Sequence, residues 1–144
     1  MKLKLYNYSI LLPFLALLFT SCDKEDEGKY EQIPERNVNR EVNINDPYYT
    51  SLNHKGGYIY LDEGYKGVIL AKSYDGDFIA LERACPYEPD KDCAKVTVDS
   101  SNVFIRCGHY GSKEWVPCCN SKYNLKGHIL EGPSQKPLKT YNIQ

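Results

Sequence analysis

The chain lacks an apolar run long enough to cross a bilayer as a helix. Ile10–Phe19, with Pro13 inside it, falls well short of the roughly 20 apolar residues a spanning helix needs. A basic stripe is also missing. Eighteen Lys and Arg stand against 19 Asp and Glu, for a formal charge of −1, and no helical pattern carries them on one face. Nucleic acid is therefore not an expected partner. Histidine is scarce, at three. His54 sits beside the Lys55-Gly56-Gly57 turn and reads as a solvated loop residue, and His128 reads as the wet face of a strand. With no Ser-His-Asp or paired-carboxylate arrangement to argue from, no hydrolase chemistry and no catalytic residue is assigned. Internal repeats are absent, so the chain is not a solenoid or a propeller.

What is present begins with the leader. Lys2 and Lys4 precede the apolar run, and the run ends at Phe19-Thr20-Ser21-Cys22. A positive n-region followed by a short apolar stretch is a secretory signal. Small residues before a cysteine resemble the lipobox of bacterial lipoproteins. That resemblance implies a signal peptide over residues 1–21, lipid attachment at Cys22 and a membrane-anchored mature chain. Asp23-Lys24-Glu25-Asp26-Glu27 is a charged tether, extending to about Asn39. It also resembles the surface-export signal of Bacteroidetes lipoproteins, which implies an outer-membrane lipoprotein displayed outside the cell.

Residues 40–144 are of a size for one domain. Thirteen tyrosines against four phenylalanines suit a β-rich domain with half-exposed aromatic positions. Glu41–Asn45 alternates apolar and polar residues and predicts a half-buried strand. Asp46-Pro47 predicts a cap and first position for one helical turn. Further strands are expected over 58–61, 67–71, 78–81, 95–98, 103–106, 122–125, 128–131 and 138–143. Tyr74-Asp75-Gly76-Asp77 is a hairpin signal. The expected class is all-β, a small antiparallel sandwich or barrel.

Five of the six cysteines, Cys85, Cys93, Cys107, Cys118 and Cys119, fall within 35 residues of one another. Such a cluster denotes a disulfide framework or a metal site, and the outside of the cytoplasm permits disulfides. Cys107, His109, Cys118 and Cys119 offer thiolate and imidazole to zinc, although adjacent cysteines rarely both fit one tetrahedron. The vicinal pair Cys118-Cys119 with an odd thiol is also compatible with disulfide exchange.

The order of elements and the motifs around these cysteines resemble the Rieske domain, a β-sandwich whose two loops grip a [2Fe-2S] cluster. Cys85-Pro86-Tyr87, continuing to Cys93, matches the first loop. Val116-Pro117-Cys118-Cys119-Asn120-Ser121-Lys122-Tyr123-Asn124 matches the second. Gly132-Pro133 matches the covering loop, and Pro137-Leu138 the approach to the closing strand. The resemblance implies a two-loop tip at which protein partners dock. It also implies a disulfide between the non-ligand positions Cys93 and Cys118.

At the ligand positions stand Cys85, Tyr87, Val116 and Cys119, where a Rieske cluster takes two Cys and two His. One ligand is kept, one is exchanged for another type and two are lost. The expectation is therefore a module without the family's cofactor, in which Cys85 and Cys119 form a second disulfide. The alternative is an electron-transfer centre with non-standard ligands from Cys85, Cys107, His109 and Cys119. Cys107-Gly108-His109 has no counterpart at this place, and residues 107–117 read as an insertion into the second loop. Trp115, within it, is expected as a lid over the tip.

Overall fold

The structure, a computed structural model, describes residues 32–144. The signal peptide, Cys22 and the first part of the tether lie outside the described residues. Eight strands follow a short helix: β1 Tyr58–Leu61, β2 Val68–Lys72, β3 Phe78–Glu82, β4 Val96–Val98, β5 Phe104–Tyr110, β6 Trp115–Asn124, β7 Ile129–Glu131 and β8 Thr140–Tyr141. They form two antiparallel four-stranded sheets, ordered β1-β2-β3-β8 and β4-β5-β6-β7. The all-β class expected from the tyrosine-rich, turn-punctuated sequence is present.

Strand β2 shows why the sheets face each other. Val68-Ile69-Leu70-Ala71 is an unbroken apolar run, and all four residues are buried. Alternate side chains of a strand point to opposite faces. Ile69 and Ala71 join Leu81, Val96, Val98, Ile105, Tyr123 and Leu138 in a core drawn from both sheets. Val68 and Leu70 point the other way, with Ala80, onto Leu52 of the helix, flanked by Val38 and Val42. The first sheet is thus covered on both faces, and the second on one.

The helix is of the 3-10 type, over Pro47–Asn53. Asp46 caps it, its carboxylate accepting from the Tyr48 N–H at 2.9 Å, and Pro47 occupies the first turn. Both residues were expected in those roles. The strand expected over residues 41–45 is not formed. Asp46 N–H donates to the Asn43 carbonyl at 2.9 Å, so the segment turns into the helix with no partner strand beside it. Val42 still packs on the Leu52 cluster, so the apolar alternation reported burial and not pairing. The expected closing strand over 138–143 shortens to Thr140–Tyr141.

The larger difference concerns residues 107–117, expected as an insertion into the second loop, which are regular strand and turn. They form the distal half of a β-hairpin, in which Gly108, His109 and Tyr110 pair with Pro117, Val116 and Trp115. The register shifts between Arg106 and Gly108, the mark of a bulge. Gly108 has φ +137°, and a Cβ there would sit 2.3 Å from the Val116 carbonyl oxygen and 2.7 Å from Trp115 Cζ2. Trp115 lies over its own hairpin, with Arg106 above its ring at 3.8 Å and Tyr110 edge-on at 5.0 Å. It therefore packs on β5 and is not a free lid.

Candidate functional site

Three segments converge at one end of the core. The β3–β4 connection carries Cys85 and Cys93 and is pinned at its base by the Ala84–Lys95 bridge. Strand β5 carries Cys107, and β6 carries Cys118 and Cys119. Cys93 and Cys118 form a disulfide, with Cα atoms 5.5 Å apart. It joins the β3–β4 connection to β6, the two segments expected to be stapled.

Below it lie three free cysteines. Cys85 and Cys107 are buried and Cys119 is half-buried. Their sulfurs all lie within 4.8 Å of one another. Cys85 Sγ is 3.4 Å from Cys119 Sγ, so the pair expected as a second disulfide is adjacent, but as thiols. The Tyr123 hydroxyl, on a fully buried side chain, is 3.4 Å from Cys85 Sγ. Ser121 Oγ is 3.3 Å from Cys119 Sγ and accepts from the Ser134 N–H at 3.1 Å.

The loop at Gly132-Pro133 lies against this corner. Gly132 has φ +101°, and a Cβ there would meet Ser121 Cα at 2.5 Å. Only a residue without a side chain lets the loop close so tightly on Ser121.

The three thiols are electrostatically unequal. Cys119 is held well below the ordinary thiol value, first by hydrogen bonding from Cys107, then from Cys85 and Ser121. Cys107 is pushed up by its hydrogen bonds to Cys119 and Cys85 and by burial. For Cys85, hydrogen bonding with Cys107 favours the thiolate. Its bond to Cys119 and its burial outweigh this and push it up to about 11. Burial, and then the charge of Cys85, pushes the Tyr123 phenol up, so that it stays neutral. Together these shifts favour the thiolate at Cys119, the sulfur nearest solvent, over its two neighbours.

His109 is exposed at the hairpin end and is not part of this group. Cys118 is tied up in the disulfide. The zinc set Cys107, His109, Cys118 and Cys119 is therefore not assembled. At the other positions given by the Rieske resemblance, Tyr87 packs against the core and Val116 is exposed on β6. Three sulfurs without imidazole do not make the two-Cys, two-His set of such a cluster. His54 and His128 are both exposed, as expected.

Cys107, expected as a candidate ligand together with His109, joins the site without it. A signal was available: Phe104-Ile105-Arg106-Cys107 continues the strand's alternation, which puts Ile105 and Cys107 on one inward face.

No family model, curated protein or solved structure matches this chain. The fold and the site define a disulfide-containing, all-β domain with a largely buried cluster of three free cysteines.

Proposed function

We propose that this chain is a lipid-anchored protein of the cell envelope. Its domain is a Rieske-like β-sandwich that holds a two-loop tip toward a protein partner. The anchor is Cys22, the tether runs to about residue 39, and the setting is the outer membrane with the domain facing outward. The observation that carries the reading is the Cys93–Cys118 disulfide. It lies where the resemblance puts the loop staple, above Cys85 and Cys119, which meet at 3.4 Å where cluster ligands would face each other. The Gly132 loop, seated on Ser121, stands in the place of the family's cover. Because the donor set departs from the family's, the tip's role is binding rather than electron transfer through a [2Fe-2S] cluster.

Two measurements test this. Mass spectrometry of the amino-terminal peptide from the envelope fraction is expected to find acylated Cys22, and Cys22→Ser to release the protein from membranes. A soluble wild-type chain would overturn the anchor. Anaerobically purified protein is expected to be free of visible iron–sulfur absorbance. Two irons per chain would overturn the binding-module reading in favour of electron transfer.

A further inference from the structure

We propose that Cys85, Cys107 and Cys119 form a binding site for a single thiophilic d10 cation, monovalent copper or zinc, held by three thiolates. This deepens the reading of the tip as a binding site, but it rests on the cysteine geometry and not on the anchor.

Three observations carry it. First, the spacing fits. Metal–sulfur bonds of about 2.3 Å around one ion set sulfur–sulfur separations of about 3.7–4.0 Å. The three sulfurs here lie within 4.8 Å, with one pair at 3.4 Å. Shifts of about half an ångström, within reach of side-chain rotation, would bring them round an ion of this size.

Second, the ligands come from three different strands or connections, each held independently. The Ala84–Lys95 bridge and the Cys93–Cys118 disulfide brace the segment of Cys85. The β4–β5 pairing fixes Cys107 opposite Val96. Ser121, pressed by Gly132, lies beside Cys119. Such bracing is what a built metal site requires of its second shell.

Third, the donors select the metal. A set of soft sulfurs with no carboxylate or imidazole suits copper(I) or zinc and rejects magnesium, calcium and manganese. The phenol oxygen of buried Tyr123 is a hard donor and a poor fourth ligand for a soft ion. The ion is therefore three-coordinate, or takes its fourth ligand from the half-buried Cys119 side, where a partner's donor would enter.

Binding forms three metal–sulfur bonds and releases to solvent the protons the thiols still carry, with no electron transferred. Ser121 Oγ, 3.3 Å from Cys119 Sγ, is placed to donate a hydrogen bond to the metal-bound sulfur.

The test uses the full chain, purified anaerobically and titrated separately with copper(I) and with zinc against a competing chelator. The expected result is one ion per chain for at least one metal. Sulfur-only coordination should appear in X-ray absorption, along with loss of alkylation at all three thiols together. Cys85→Ser, Cys107→Ser and Cys119→Ser should each weaken binding by more than about 100-fold, a loss larger than that from removing an outer-shell partner. Circular dichroism and an intact Cys93–Cys118 bond control for folding, and the alkylation readout on the unmutated chain needs no variant. Multinuclear copper, binding insensitive to Cys107→Ser, or a Cys85–Cys119 disulfide under anaerobic conditions would overturn the site. Failure here with Cys22 acylated would leave the anchored-module reading standing.

Discussion

Glu82 is fully buried, yet it keeps four donors around its carboxylate. It accepts from the N–H groups of Tyr65 at 2.7 Å, Lys66 at 2.9 Å and Ala84 at 2.9 Å, and from the Tyr141 hydroxyl at 2.6 Å. One side chain thus ties the β1–β2 turn and β8 to the end of β3, three residues before Cys85. Glu82→Ala would leave several of those donors without a partner in a space closed to water. The expected cost is about 1–3 kcal/mol or more, the penalty for leaving a buried donor unsatisfied, read as a lower urea midpoint. Glu82→Gln keeps one acceptor oxygen and should lose less.

The three thiols make a second prediction at this scale. In metal-free protein, iodoacetamide near pH 6 should label Cys119 first, since its hydrogen bonds hold it as a thiolate well below the ordinary range. Cys85 should resist until the pH approaches 11, because its proton is retained above the usual 9.0. Mass mapping across a pH series reads both. Equal labelling of all three with an ordinary thiol profile would contradict the shared-proton arrangement. Cys107 was legible in the sequence as a candidate ligand, but Glu82 was not legible as a structural centre. A glutamate ending Phe78-Ile79-Ala80-Leu81 looks like a solvated strand end, and nothing local says that two loops will deliver backbone donors to it.

At the scale of elements, legibility followed from how local each cause is. The capped helix at Asp46-Pro47 and the Asp75-Gly76 turn depend on neighbours within four residues, and both were readable. The unbroken apolar run of β2 announced burial on both faces, which requires only that something covers each side. Pairing is a different matter. The 41–45 segment has the alternation of a strand but no partner in the fold, and alternation cannot report a partner. The β5–β6 hairpin failed for the converse reason. Gly108-His109 breaks the apolar pattern that runs through Cys107, and the pairing that continues the strand comes from Trp115-Val116-Pro117 across a turn.

The covering loop is the element on which access to the thiols turns. Gly132→Ala adds a Cβ that would come within 2.5 Å of Ser121 Cα, at a φ of +101°. The expected cost is about 1–3 kcal/mol of backbone strain, relieved by lifting the loop from Ser121. Cys119 should then alkylate faster at fixed pH, while Cys85 and Cys107 stay protected beneath it. A variant with reduced stability but unchanged Cys119 labelling would mean that the loop does not gate this corner.

For the molecule as a whole, the disulfide and the thiol centre are two parts of one closure. The sheets share a core of moderate size, and the corner where β3–β4, β5 and β6 meet is lined by sulfur rather than by branched aliphatic side chains. The Cys93–Cys118 bond spans 25 residues of sequence. For a loop of that length the chain-entropy estimate is about 3.5 kcal/mol, a large part of a net stability of about 5–15 kcal/mol. Cys93→Ser with Cys118→Ser should therefore lower the unfolding free energy by about 2–4 kcal/mol.

The thiol centre gives this last prediction a second arm. An ion bound at Cys85, Cys107 and Cys119 bridges the same connection to the same strand, so metal should restore part of the stability the double variant loses. Ligand bound only to the folded state stabilises by about 2.7 kcal/mol at 100 times its dissociation constant. Thermal denaturation of the double variant, with and without copper(I) or zinc, measures the recovery. The same metals should raise the midpoint of a Cys93→Ser, Cys118→Ser, Cys107→Ser triple variant by far less. Equal recovery in both would place the ion elsewhere and leave the disulfide as the sole closure of the tip.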